Sequence, residues 1–187
     1  MLSVVHARGR IIGAGILTLM GALWYLLAVA LWPAHPGWSI PAGSLAAALL
    51  LIFCVQRLWA FRNIPRIHDP VAEARGKRAG TWFGIIFGIE GLSIGLCSML
   101  LAHFGWSDWI PLAAAALVGL HFIPLARVFD VPLYYWTGTL TVLAMAACAL
   151  IGDPNQRVLV AGVAMAAVLW LTATCLLLTT RFEPRPV

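Results

Sequence analysis

IIGAGILTLMGALWYLLAVALW, residues 11–32, runs for 22 residues without a charged side chain. Arg8 and Arg10 precede it, and Ala28-Val29-Ala30 near its end has the small-residue pattern of a cleavage site. Two readings compete, a signal peptide and a helix that stays in the chain. Length decides between them: a signal core needs about 7–15 apolar residues, whereas about 20 are needed to cross ~30 Å of hydrocarbon. The run is read as an uncleaved first membrane span.

Five further apolar runs follow, at 42–61, 80–102, 108–127, 133–151 and 157–180. Lipid offers no partner to an open backbone, so each is expected to be a helix. The connections are short and carry turn chemistry: Pro33, Pro36 and Pro41; Pro65 and Pro70; Gly105 and Asp108; Asp130 and Pro132; Gly152-Asp153-Pro154. With 62% hydrophobic and 10% charged residues in 187, and a mean hydropathy of +0.93, the chain leaves the soluble range. The expectation is an all-α polytopic membrane protein, residues 1–187 forming a single domain of six transmembrane helices.

The net charge of +5 is distributed as a topology signal. On the predicted fold, eleven of the twelve Lys and Arg residues fall on one side, at Arg8, Arg10, Arg57, Arg62, Arg66, Arg75, Lys77, Arg78, Arg127, Arg181 and Arg185, and Arg157 stands opposite. The positive-inside rule then puts both termini in the cytoplasm of a bacterial inner membrane. Trp32, Trp38, Trp106 and Trp109 mark the outer interface, and Trp59, Trp82 and Trp136 the inner one. No nucleic-acid partner is expected, because the basic residues form no stripe. The basic connection at 62–80 is expected to be an amphipathic or irregular loop near anionic lipid headgroups. Cys54, Cys97, Cys148 and Cys175 lie in apolar runs without CxxC spacing and read as small core residues.

A weak periodicity links the three predicted hairpins: Gly13 to Arg57 spans 44 residues, and Gly84 to Arg127 and Gly138 to Arg181 each span 43. It suggests three helical-hairpin repeats about a pseudo-threefold axis. Only the middle unit carries Glu90 and His121; its siblings have Leu19 and Ala144, or Leu51 and Cys175, at those places.

Glu90 lies about 12 Å beyond Trp82 along the third helix and His121 about 9 Å inside Arg127 along the fourth, at a rise of 1.5 Å per residue. The helices run antiparallel, so the two side chains reach similar depth. A carboxylate near the bilayer centre is costly, and Glu90 is therefore expected to be protonated, paired or solvated. Burial and pairing act in opposite directions on both groups, so the pair is suited to sharing a proton. Ser93 and Cys97 share an arc with Glu90. Pro124 frees the Leu120 carbonyl next to His121. Arg127 and Asp130 flank the inner end of the helix, where they can form an ion pair. Tyr134, Tyr135 and Trp136 read as an interfacial belt. Gly84, Gly88, Gly91 and Gly95 form a separate stripe that lets another backbone approach, including that of a second copy of the chain.

There is no HExxH, GxSxG or GxxxxGK[ST], and no cluster of metal ligands. Neither a catalytic residue nor a cofactor or metal is assigned. The stretch Gly119-Leu120-His121-Phe122-Ile123-Pro124-Leu125-Ala126-Arg127, with Trp82-Phe83-Gly84 and Glu90-Gly91 upstream, resembles a family of small bacterial multi-span membrane proteins over about residues 80–140. In architecture alone, the three hairpins are similar to acid-resistance HdeD-type membrane proteins; neither resemblance implies an activity or a site. Two functional readings stand. In one, the polar site between the third and fourth helices binds or passes a proton, ion or small solute. In the other, the protein is a non-catalytic membrane scaffold or stress-related factor and Glu90–His121 only locks the fold.

Overall fold

Pro70, which the sequence places in a connection, opens the longest helix of the protein in the computed structural model. Proline suits a first turn, where its missing N–H has no helical acceptor to lose. The polar residues after it, Glu73 to Arg78, are helix formers that hydropathy alone assigns to a loop. The structure describes residues 4–32, 36–60, 62 and 70–180; Pro33, Pro65, Arg66, Arg181 and Arg185 lie outside them, as does the 63–69 part of the basic connection.

Six α-helices and no strand occur among the described residues: α1 (Val4–Ala30), α2 (Ser39–Ala60), α3 (Pro70–His103), α4 (Ile110–Val128), α5 (Leu133–Cys148) and α6 (Pro154–Thr179). A 3-10 turn, Ser107–Trp109, leads into α4. Residues 70–80, expected as loop, are thus helical. α5 has 16 residues, about 24 Å of helix, and ends before the predicted 151. The other five helices are long and apolar enough to cross a membrane.

The connections follow local chemistry. Gly105 adopts φ 77° after α3, a conformation that glycine takes without a Cβ penalty. Asp130 takes φ 53° between α4 and α5; among non-glycine residues Asp and Asn tolerate this region best. Asp153 caps α6 by accepting the Asn155 N–H at 2.8 Å, with Pro154 as the first helical residue. Hydrogen bonds at the helix ends show the up-and-down course. At one end, Arg10 donates to the Asp130 carbonyl at 3.3 Å and Arg57 to the Leu177 carbonyl at 2.8 Å. At the other, Tyr25 donates to the Ser39 carbonyl at 3.0 Å and Arg157 to that of Ile151 at 3.3 Å.

α1 against α6 is the most extensive interface and forms the centre. α2 packs on its α1 side, α4 and α5 on the other, and α3 lies outermost against α4. The third hairpin therefore sits between the other two. The three glycines of the periodicity have different surroundings: Gly13 faces the Tyr134 hydroxyl, Gly138 the Gly119 carbonyl, and Gly84 open space.

Close helix approach comes from glycines other than the predicted stripe. A Cβ on Gly138 would stand 2.7 Å from the Gly119 carbonyl oxygen, and one on Gly119 would stand 2.9 Å from Thr141. Gly162 is likewise pressed against Ala28, which lets α1 and α6 meet backbone to backbone. Nothing lies within 4 Å of a Cβ built on Gly84, Gly88, Gly91 or Gly95. That face of α3 is open in the single chain.

Outward-facing leucine, isoleucine and phenylalanine are spread over all the helices, including Leu23, Leu49, Phe87, Leu96, Leu143 and Leu171. Water would penalise so much exposed apolar surface, and the arrangement is compatible with a membrane location. Inside, threonines hide their hydroxyls: Thr18, Thr137, Thr141 and Thr172 each donate to the carbonyl four residues back, at 2.8–3.1 Å. Cys54 and Cys148 are buried as expected of small core residues, Cys97 is half-buried and Cys175 faces outward, so the core reading fails there.

Candidate functional site

The side of α3 turned to α4 is a seam spaced by three and four residues: Ile86, Glu90, Ser93 with Ile94, Cys97 with Ser98, and Leu101 are at least half-buried while the residues between them are exposed. Glu90, 8% exposed, is the one fully buried residue among those described on α3. A carboxyl group thus occupies the place where such a helix would ordinarily bury a leucine.

Opposite it stands His121, with Nδ1 3.0 Å from Glu90 Oε1. Both side chains are largely covered, at 13% exposure for His121 and 7% for Glu90. The contact has the distance of an ion pair but not the alignment of a hydrogen bond. Glu90 Oε2, also buried, makes no hydrogen bond to the protein. The His121 ring stacks on Phe122, centroids 4.4 Å apart, and Phe122 in turn packs 5.6 Å from Tyr134 in the core. Phe83 against Phe129, at 6.0 Å, makes a second tie between α3 and the end of α4.

The remaining predicted residues fall into place unevenly. Ser93 and Cys97 continue the seam beyond Glu90, half-buried, with no hydrogen bond to the pair. Pro124 lies within α4, which runs through it to Val128. Arg127 donates through Nε to the Tyr135 hydroxyl at 3.1 Å, and no Arg127–Asp130 ion pair forms among the described residues. Asp130 instead offers its backbone carbonyl to Arg10. Tyr134, expected in an interfacial belt, is buried at 7% exposure, with its ring against Phe122 and its hydroxyl against Gly13 of α1. Trp136 is exposed, as a belt residue would be.

A second polar constellation was missed at the sequence level. Arg157, read as the lone basic residue on its side, is 4% exposed and ion-paired through Nη2 with Asp108. Its guanidinium lies over the Trp109 ring, 3.9 Å from the centroid, a cation–π contact. The available signal was the isolation of Arg157: one cation among apolar runs on a face otherwise lacking them needs a counter-ion, and Asp108 is an acid at the same end.

Compared with protein-family models, curated proteins and solved structures, the chain matches none of them. The chemistry of the two polar constellations is therefore what a functional reading has to stand on.

Proposed function

We propose that the chain is an integral membrane protein of six spans, in a bacterial inner membrane with both termini cytoplasmic, that binds and exchanges a proton or small cation at Glu90–His121. The observation that carries this reading is the bare, buried Oε2 of Glu90 beside an imidazole in ion-pair contact with Oε1. A neutral acid there would hold its proton on Oε2. An ionised acid would be balanced by an imidazolium on the other oxygen. The site thus has two ways of holding charge away from lipid, which differ by where the proton sits. For a cation in the proton's place, Oε2 is a free oxygen ligand, and Pro124 leaves the Leu120 carbonyl without its helical donor next to His121.

A second reading, a scaffold in which the pair is structural, draws support from the same seam. Glu90 is the one buried residue described on α3, so its contact with His121 fixes that helix on α4. One experiment separates the two: infrared difference spectroscopy of purified protein in lipid between about pH 5 and 8, where imidazole ordinarily changes charge. Proton exchange requires a carboxyl band that changes with pH, vanishes in Glu90→Gln and moves in His121→Ala. Both variants should still insert, since neither touches the flanking arginines that set topology. A carboxyl band that stays constant across the interval would leave the pair as a structural tie and end the exchange reading.

A further inference from the structure

At the end of the bundle that carries Arg157, α4 does not close on the α1–α6 pair. Two adjoining cavities of about 260 and 220 Å³ lie between them, with Ala28, Leu31, Pro111 and Val158 lining both. The shared residues make them one continuous groove, each part of it smaller than a drug-sized site of about 300–1,000 Å³ and so suited to a slender chain. The two parts differ in chemistry. One is walled by Trp24, Leu27, Ala161 and Gly162 and is almost wholly apolar. The other is bordered by Asp108 and Asn155 at the first turn of α6. Leu31, 63% exposed, stands on the outer rim, so the groove opens sideways, toward the surface that the proposed bilayer covers.

The head group that fits is set by an asymmetry within the Asp108–Arg157 pair. The Arg157 side chain is 5% exposed and covered by Trp109, whereas the Asp108 side chain is 39% exposed. A guest in the groove meets the acid of the pair and not the base. Asp153, exposed at the α6 N-cap, adds a second negative charge at this end. We infer that this groove is a binding site for a single-chain amphiphile with an ammonium head: the apolar tail lies along the α1–α6 contact, beside Pro111 of α4, and the head donates to the Asp108 carboxylate. A fatty acid with the same tail would bring its carboxylate against Asp108. The site is separate from Glu90–His121 and does not depend on its role.

Photolabelling tests this, with a diazirine-bearing dodecylamine and the matching dodecanoic acid applied to the purified protein in lipid, and the labelled peptides mapped by mass. The amine should label the 24–31 and 158–162 stretches about tenfold more than the acid, a ratio within reach of one charge-assisted hydrogen bond. Val158→Trp, which fills the groove and leaves the ion pair in place, should remove that labelling. Asp108→Asn should bring the amine down to the level of the acid. Equal labelling by amine and acid, preference for the acid, or labelling unchanged in Val158→Trp would each overturn the inference. The Val158 variant keeps the test decisive if loss of Asp108 disturbs folding.

Discussion

Asp108 and Arg157 form one ion pair, yet removing either partner should not cost the same. Asp108→Asn leaves a guanidinium 4% exposed without its counter-ion, retaining the Ile151 carbonyl at 3.3 Å and the Trp109 ring at 3.9 Å. Breaking a fully buried pair this way costs about 3–5 kcal/mol. Here the arginine stem can swing its head toward the interface, so about 2–3 kcal/mol is the expected loss. Arg157→Met leaves a carboxylate that is 39% exposed and hydrates in place. The apolar side chain fills the former stem volume, and exchanging a buried charge for a hydrophobe is often nearly neutral, so about 1 kcal/mol or less is expected. The double variant should resemble Arg157→Met, giving a coupling of about 2 kcal/mol in a double-mutant cycle. Reversible unfolding in mixed micelles, followed by helical circular dichroism, measures all four proteins. If Arg157→Met proved as destabilising as Asp108→Asn, the argument that the base is buried and the acid wetted would be wrong.

Two further outcomes follow from the packing. Gly138→Val should cost about 1–3 kcal/mol in the same assay, because its Cβ would sit 2.7 Å from the Gly119 carbonyl oxygen, while Gly88→Ala, in open space, should stay within about 0.5 kcal/mol of wild type. Arg57→Ala removes the side chain that holds the Leu177 and Thr180 carbonyls at the α6 C-terminus; amide exchange at Thr179 and Thr180 should accelerate while the α6 middle keeps its protection.

The helices were legible because charge-free length is a direct consequence of what lipid tolerates. Where lipid does not act, the reading faltered: residues 70–80 are helical yet polar, and hydropathy is blind to them. Glu90–His121 was legible from register alone, since two adjacent antiparallel helices fix relative depth by counting. Asp108–Arg157 joins two different hairpins, and no counting along one hairpin reveals which of its neighbours it touches. The glycines teach the same lesson. The regular stripe at Gly84, Gly88, Gly91 and Gly95 drew attention by its spacing, whereas Gly119, Gly138 and Gly162, scattered in sequence, are where helices meet. Spacing shows that a face is smooth, and only the helix order shows what lies against it.

That helix order has a consequence for synthesis. Of the six described helices α1 is made before the other five and its principal neighbour, α6, after them. At about 5–20 residues per second, on the order of ten seconds separate the two as the chain emerges. Through that interval Gly21 and Ala28 of α1 stand without the α6 residues, Trp170 and Gly162, that later cover them. The nascent protein is thus a set of helices awaiting their keystone, and a chain cut before α6 would leave them with no centre to gather round.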